Sequence, residues 1–208
     1  MEISTNSFSP GGPIPSRYAL ARPDPDTRVA FAENISPHLA WSDAPEGTRS
    51  FALICHDFDC PSSGEDVNQP DREVPPDLPR VDFFHWVIVD IPADMRVFEE
   101  AEFSSGVAPG GKQVQIGPYG TRQGLNDYTG WFAGDEEMAG KYYGYDGPAP
   151  PWNDSIIHHY VFTLYALDVD RTDVDGDFTG PEVREAVEGH VLSETSVMGT
   201  YTLNPRLY

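Results

Sequence analysis

Ser50–His56 alternates along the chain, yet both of its faces are apolar. Phe51, Leu53 and Cys55 share one face, and Ala52, Ile54 and His56 share the other. A strand apolar on both sides belongs in the middle of a packed sheet. Phe83–Ile91 repeats the pattern and is stopped by Pro92. Ile156–Leu167 is the clearest strand. His158, Tyr160, Phe162, Leu164 and Ala166 lie on one face, and His159, Val161, Thr163, Tyr165 and Leu167 lie on the other. The period of two sets His158 beside Tyr160. Shorter strands are predicted around Arg28–Ala32, after the turn that begins at Asn34-Ile35-Ser36-Pro37, and over Ser196–Leu203. One helix is signalled. Thr179-Gly180-Pro181-Glu182 reads as a capping box with an early proline, and Val183, Ala186, Val187, His190 and Val191 follow at helical spacing. Gly106–Gly147 has little periodicity and is expected to hold short strands and packed loops. The sum is a mostly β chain, an antiparallel β-sandwich with one or two peripheral helices.

Composition narrows the class. In 208 residues, 39% are hydrophobic and 12% aromatic, which supports a folded core rather than disorder. Twenty prolines and nineteen glycines without a period point to a loop-rich β protein. The formal net charge of −21 and the lack of a basic stripe argue against a nucleic-acid partner. An anionic membrane surface would repel such a chain. No apolar run approaches the ~20 residues of a membrane span, so an integral membrane protein is not expected. Met1-Glu2-Ile3-Ser4-Thr5 lacks the basic start and apolar run of a signal peptide, and a cytoplasmic location is expected. The acidity reads either as colloidal solubility or as adaptation to high salt. Cys55 and Cys60 match no zinc spacing and are taken as reduced, small residues.

Three segments deliver polar side chains to the ends of apolar runs. They are His56-Asp57-Phe58-Asp59-Cys60-Pro61, Phe84-His85-Trp86, and Tyr145-Asp146-Gly147-Pro148-Ala149-Pro150-Pro151 followed by His158-His159-Tyr160. Imidazole and phenol groups donate hydrogen bonds and prolines fix a rim, so a pocket built from these would suit a small anion. Together with Asn34-Ile35-Ser36-Pro37-His38-Leu39-Ala40-Trp41, the segments resemble the phosphatidylethanolamine-binding protein or Raf kinase inhibitor-like family, and more closely its bacterial YbhB/YbcL branch. The resemblance runs over nearly the whole chain, 1–208, read as one domain with a loop insertion at about 62–80. It implies two antiparallel sheets with Greek-key connections and an anion pocket at one end. Carried over, the pocket is Asp57, His85, Ala149, Pro150, Pro151, His158 and Tyr160, with Asp59 just behind it. The chain departs from the family pattern at Phe58, Cys60 and His159, which stand for a proline, an alanine and an arginine.

A carboxylate repels a phosphate, so the acids are expected to act indirectly. Asp57 would favour and orient an imidazolium that in turn donates to the anion. The expected function is a non-enzymatic binding protein for phosphate or a phospholipid head group, without a cofactor, that regulates a partner kinase or another protein. The alternative is a metal-dependent enzyme using His85, His158 and Asp57. A third reading is an inhibitor of a kinase or protease that works through its loops. The bacterial branch also implies a homodimer. Trp131, Phe132, Tyr142, Tyr143 and Tyr145 are an aromatic supply either for its interface or for the core of the monomer itself.

Overall fold

A central strand that is apolar on both faces needs a cover on each side, and the architecture supplies both. The computed structural model describes residues 1–208. Along the chain run β1 (Glu2–Ser4), β2 (Ala21–Asp24), β3 (Arg28–Phe31), β4 (Leu39–Ser42), β5 (Ser50–Pro61), β6 (Arg80–Pro92), β7 (Val97–Phe98), β8 (Arg122–Gln123), α1 (Tyr128–Trp131), β9 (His158–Leu167), α2 (Gly180–Val187) and β10 (Val191–Tyr201). The main sheet has five strands in the order β10-β9-β5-β6-β8, a second has the order β1-β4-β7, and β2 and β3 pair as a separate ribbon. All of these pairings are antiparallel. β5 and β6 are sequence neighbours, whereas β9 returns by a long connection to lie on the other side of β5, the crossover of a Greek key.

On one face of the main sheet Phe51, Leu53, Cys55, Trp86, Ile88, Phe162 and Leu164 pack with Trp41 and Leu39 of β4 and Phe98 of β7. Trp41 and Phe98 meet edge to face at 5.1 Å. On the other face Ala52, Ile54, Phe84, Val87 and Val89 pack with Phe178 and with Val183 and Val187 of α2. Both faces of β5 are dry, as its sequence predicts.

Several boundaries differ from the sequence reading. β9 begins at His158 rather than Ile156, because the Ile156 amide donates to Asp154 Oδ1 at 3.2 Å instead of to a neighbouring strand. α2 ends at Val187, three residues short of His190. Gly189, at φ +84°, turns the chain, and Val191 opens β10 opposite Leu167. β10 then covers Val191–Tyr201, longer at its start than predicted, since β9 offers it a hydrogen-bonding partner along its whole length. α2 is capped as expected, with the Thr179 amide donating to the Glu182 carboxylate at 2.8 Å. Tyr142, Tyr143 and Tyr145 are buried within the chain, so the aromatic supply predicted for an interface is mostly spent inside. No helix is long and apolar enough to cross a membrane.

Candidate functional site

The C-terminal end of β5, the start of β6 and the start of β9 meet at one end of the main sheet. Asp57 pairs with Phe83 of β6 and with Tyr160 of β9. A cavity of about 300 Å3 opens there, bordered by Asp57, His85, Ala149, Pro150, Pro151, His158 and Tyr160 together with Cys60, Phe83, Tyr128 and Trp152. All seven residues nominated for the pocket therefore border one cavity.

The Tyr145–Pro151 loop is clamped onto β6 by a buried carboxylate. Asp146 accepts from Asn34 Nδ2 at 2.7 Å, Asn126 Nδ2 at 2.8 Å and Lys112 Nζ at 2.8 Å. Its backbone amide donates to the His85 carbonyl at 3.0 Å, and its carbonyl faces His85 Nδ1 at 2.9 Å. Gly147 follows, where an added Cβ would stand 2.0 Å from the Tyr18 carbonyl oxygen, so no larger residue fits. Asn126 thus holds the loop, while its neighbour Tyr128 reaches the cavity wall and donates its hydroxyl to the Gly147 carbonyl at 2.7 Å.

Behind the cavity floor four charges alternate in sign. Arg80 forks Asp154 at 2.6 and 3.1 Å, and Asp154 Oδ2 lies 3.0 Å from His158 Nε2. His158 Nδ1 lies 2.7 Å from Asp57 Oδ2. Burial alone would depress the His158 pKa, but the hydrogen bonds and charges of Asp154 and Asp57 outweigh it and raise the pKa to about 9. Burial likewise opposes ionisation of Asp154, yet its bonds to His158 and Arg80 leave its carboxyl below the usual range. His158 is thus an imidazolium at neutral pH, as the indirect role of the acids requires. Both of its nitrogens are engaged by carboxylates, however, so it has no donor left for a ligand.

The free polar atoms belong to two other residues. Burial pushes the His85 imidazole below its ordinary pKa, against the pull of Asp57 and of the Asp146 carbonyl. The neutral ring donates Nδ1–H to that carbonyl and leaves Nε2 as an open acceptor. The Tyr160 hydroxyl is buried and makes no well-formed hydrogen bond in the protein, although the Asp57 carboxylate lies within its reach. Burial and then the Asp57 charge push its pKa well above the phenol range, so it remains a donor. His85 lies edge-on to Tyr160 at 5.1 Å and to Tyr128 at 5.4 Å.

Asp59 does not stand behind the cavity as expected. Its amide donates to Asp57 Oδ1 at 2.7 Å, but its carboxylate turns to His159, meeting the amide and Nδ1 at 2.8 Å each. The cause is a register shift between Asp57 and Cys60, which breaks the alternation and brings Cys60 to the cavity instead. Burial, then Asp57, raises the Cys60 thiol to about 12, which leaves it a poor nucleophile. His85, His158 and Asp57 do not make a three-ligand metal face, because His158 has no free nitrogen.

Arg80 and Asp154 are the residues that sequence reasoning missed. Their only signal was an arginine closing the proline-rich loop and an Asn-Asp-Ser turn before β9. The Ser62–Arg80 segment is tied down over the mouth. Asn153 Nδ2 donates to the carbonyls of Asp66 at 2.8 Å, Arg72 at 3.0 Å and Gln69 at 3.3 Å. Gly64, Val67 and Asn68 thereby join the cavity wall.

Comparison with known proteins identifies the family and the fold. The family model described as phosphatidylethanolamine-binding protein matches residues 4–202. The chain is 33% identical over 202 residues to UPF0098 protein YbhB of Escherichia coli, covering 97% of this chain and 100% of that one. It is 35% identical over 201 residues to a UPF0098 protein of Methanothermobacter thermautotrophicus, covering 97% and 98% of the two chains. Its fold is similar to that of the Chlamydia trachomatis homologue CT736, with a TM-score of 0.64 and 26% identity over 96% of this chain and 95% of that one. Escherichia coli YbcL matches with a TM-score of 0.68 over 97% of each chain at 24% identity. By its sequence over nearly its full length, this chain belongs to the phosphatidylethanolamine-binding protein family.

Proposed function

We propose that this protein is a non-enzymatic binding protein whose cavity takes a small oxyanion, a phosphate or the phosphate of a phospholipid head group, and that occupancy governs its association with a partner protein. The observation that carries the reading is the buried, unpartnered Tyr160 hydroxyl in the cavity floor. A buried polar group without a partner costs about 1–3 kcal/mol, which a ligand oxygen offsets. The name of the family points to the same head-group chemistry.

The donors differ from those expected. Tyr160 donates to the ligand. Asp57 carries charge, and His85 Nε2 is an open acceptor. This set fits a phosphate that still carries a proton, whose P–OH donates to Asp57 or His85 while another oxygen accepts from Tyr160. The second ionisation of a phosphate monoester falls near pH ~6, so inorganic phosphate or a free head-group monoester keeps such a proton near neutrality, whereas the diester phosphate of an intact phospholipid does not. His158, held between two acids, positions Asp57 rather than touching the ligand. The metal-enzyme alternative would require His158 to release a carboxylate, and Cys60 offers no activated thiol.

Calorimetric titration of inorganic phosphate and of a glycerophosphate head group into wild type and Tyr160→Phe tests the reading. Loss of one donor to a charged acceptor is expected to weaken binding by about ten- to hundredfold, the equivalent of 1.5–3 kcal/mol. A Tyr160→Phe variant that binds both ligands as well as wild type would remove the cavity floor as the site.

A further inference from the structure

Outside the cavity, the scarce cations of this chain gather in one place. A groove of about 610 Å3 runs between the β2–β3 turn, the Ser62–Arg80 loop and the C-terminal segment, and Arg28, Arg72, Arg206, Trp152 and Tyr208 help to line it. The whole chain has only 13 lysines and arginines against 34 acids, and three of the 13 meet here. Two acids also border the groove, Asp24 and Glu73. Asp24 is turned onto its own loop, where Oδ1 accepts from the amides of Asp26 at 3.0 Å and Thr27 at 2.9 Å. Glu73 reaches Arg206 only at 3.8 Å.

Arg28 is the telling residue. Twelve of the 13 cations make an ion pair or a side-chain hydrogen bond. Arg28 makes neither, and its guanidinium stacks 4.2 Å above the Trp152 ring. In a chain with a formal charge of −21, a cation ordered on an aromatic face without a counter-charge has its N–H edge free for an incoming acceptor.

We propose that this groove is a second ligand site, for an oxyanion held by Arg28 and Arg206 beside the Trp152 ring. A guanidinium forks carboxylate and phosphate alike. Stacking on Trp152 reduces the ordering that binding must impose on Arg28. The net charge of the chain repels anions at long range, so the site works through short-range contacts. It is best measured near 0.1–0.15 M salt, where the screening length is about 8–10 Å. Trp152 and Leu203 border both this groove and the main cavity, so the two sites adjoin and are separated by variants rather than by distance.

The test uses the full chain with 15N-labelled indoles, following the Trp152 Nε1–H signal, assigned with Trp152→Phe. Inorganic phosphate and succinate are titrated separately into wild type, the Arg28→Gln/Arg206→Gln double variant and Tyr160→Phe. Both arginines are exposed and make no close ion pair, so the double variant is expected to fold normally. In wild type the Trp152 signal should move with at least one of the two anions, and which one identifies the ligand class. In the double variant the groove's share of that response should weaken by about tenfold or more, and it should persist in Tyr160→Phe, which removes only what the adjoining cavity adds. Three results would overturn the proposal: no response to either anion, a double variant that titrates like wild type, or a response lost in Tyr160→Phe, which would assign it to the main cavity. Because the two sites are read in different variants, this proposal can fail while the cavity reading stands, and the reverse.

Discussion

Asp154→Asn gives the sharpest test of the alternating charges behind the cavity. The substitution keeps size and shape and removes one buried charge. Asp154 is almost fully buried, and its carboxylate serves both Arg80 and His158. Moving the His158 pKa from 6.5 to about 9 corresponds to about 3 kcal/mol, shared between Asp154 and Asp57. Because the folded-state value is raised, this stability is fully present below about pH 6.5 and drains away as pH climbs through about 9. Asp154 works in the other direction. Its lowered pKa stabilises the fold above the ordinary carboxylate range and is lost as pH falls into it. Near pH ~6 both contributions are intact, and breaking the buried network by removing one partner should cost about 3–5 kcal/mol. Near pH ~9.5 His158 is largely neutral in the wild type as well, so the penalty should shrink by about 1–2 kcal/mol, roughly the share of Asp154 in the His158 shift. The Arg80 part remains, since arginine does not titrate there. Urea unfolding followed by tryptophan fluorescence at both pH values measures the two penalties. An equal penalty at both would show that His158 is not held as an imidazolium, and the alternation of charge would be wrong.

Three further outcomes follow from the same geometry. Glycerophosphate affinity should fall as pH rises, with its midpoint at or below the ordinary histidine value. His158 stays charged to about 9, His85 is already depressed, and the ligand loses its own proton near pH ~6. Calorimetry that returns a flat affinity between about pH 5.5 and 8 contradicts this. Raising salt should raise Tm, because screening relieves the self-repulsion of a −21 chain whose two lysines are already committed to Asp146 and Asp177. A Tm that is unchanged or lower from dilute buffer to ~1 M KCl speaks against it. Gly180→Ala should destabilise by about 1–3 kcal/mol despite the better helix propensity of alanine. Its Cβ would stand 2.1 Å from Phe84 Cδ1, and a stabilised variant in urea unfolding would show that Phe84 can retreat at little cost.

What could be read in the sequence, and what could not, divides along a physical line. Period-two alternation in β5, β6 and β9 reports which faces are buried, so the central strands and the neighbouring places of His158 and Tyr160 were legible, while the convergence of Asp57 and His85 with them was implied by the family resemblance. Alternation carries no information where the ladder slips. The register shift after Asp57 sent the Asp59 carboxylate to His159 and turned Cys60 to the cavity, against the count of two. Short strands of two to four residues, such as β1, β7 and β8, owe their existence to a partner strand and leave almost no local pattern. The same holds for chemistry. A strand position shows that His158 faces the cavity, but whether it can donate depends on what occupies its nitrogens. Those partners, Asp57 and Asp154, come from one residue 101 positions away and another in the preceding turn. A residue's place can therefore be read from its own segment, whereas its proton inventory is set by neighbours that only the fold assembles. On that ground the proposed ligand donor is Tyr160 rather than His158, since its hydroxyl is a buried donor on the cavity wall without a well-formed hydrogen bond.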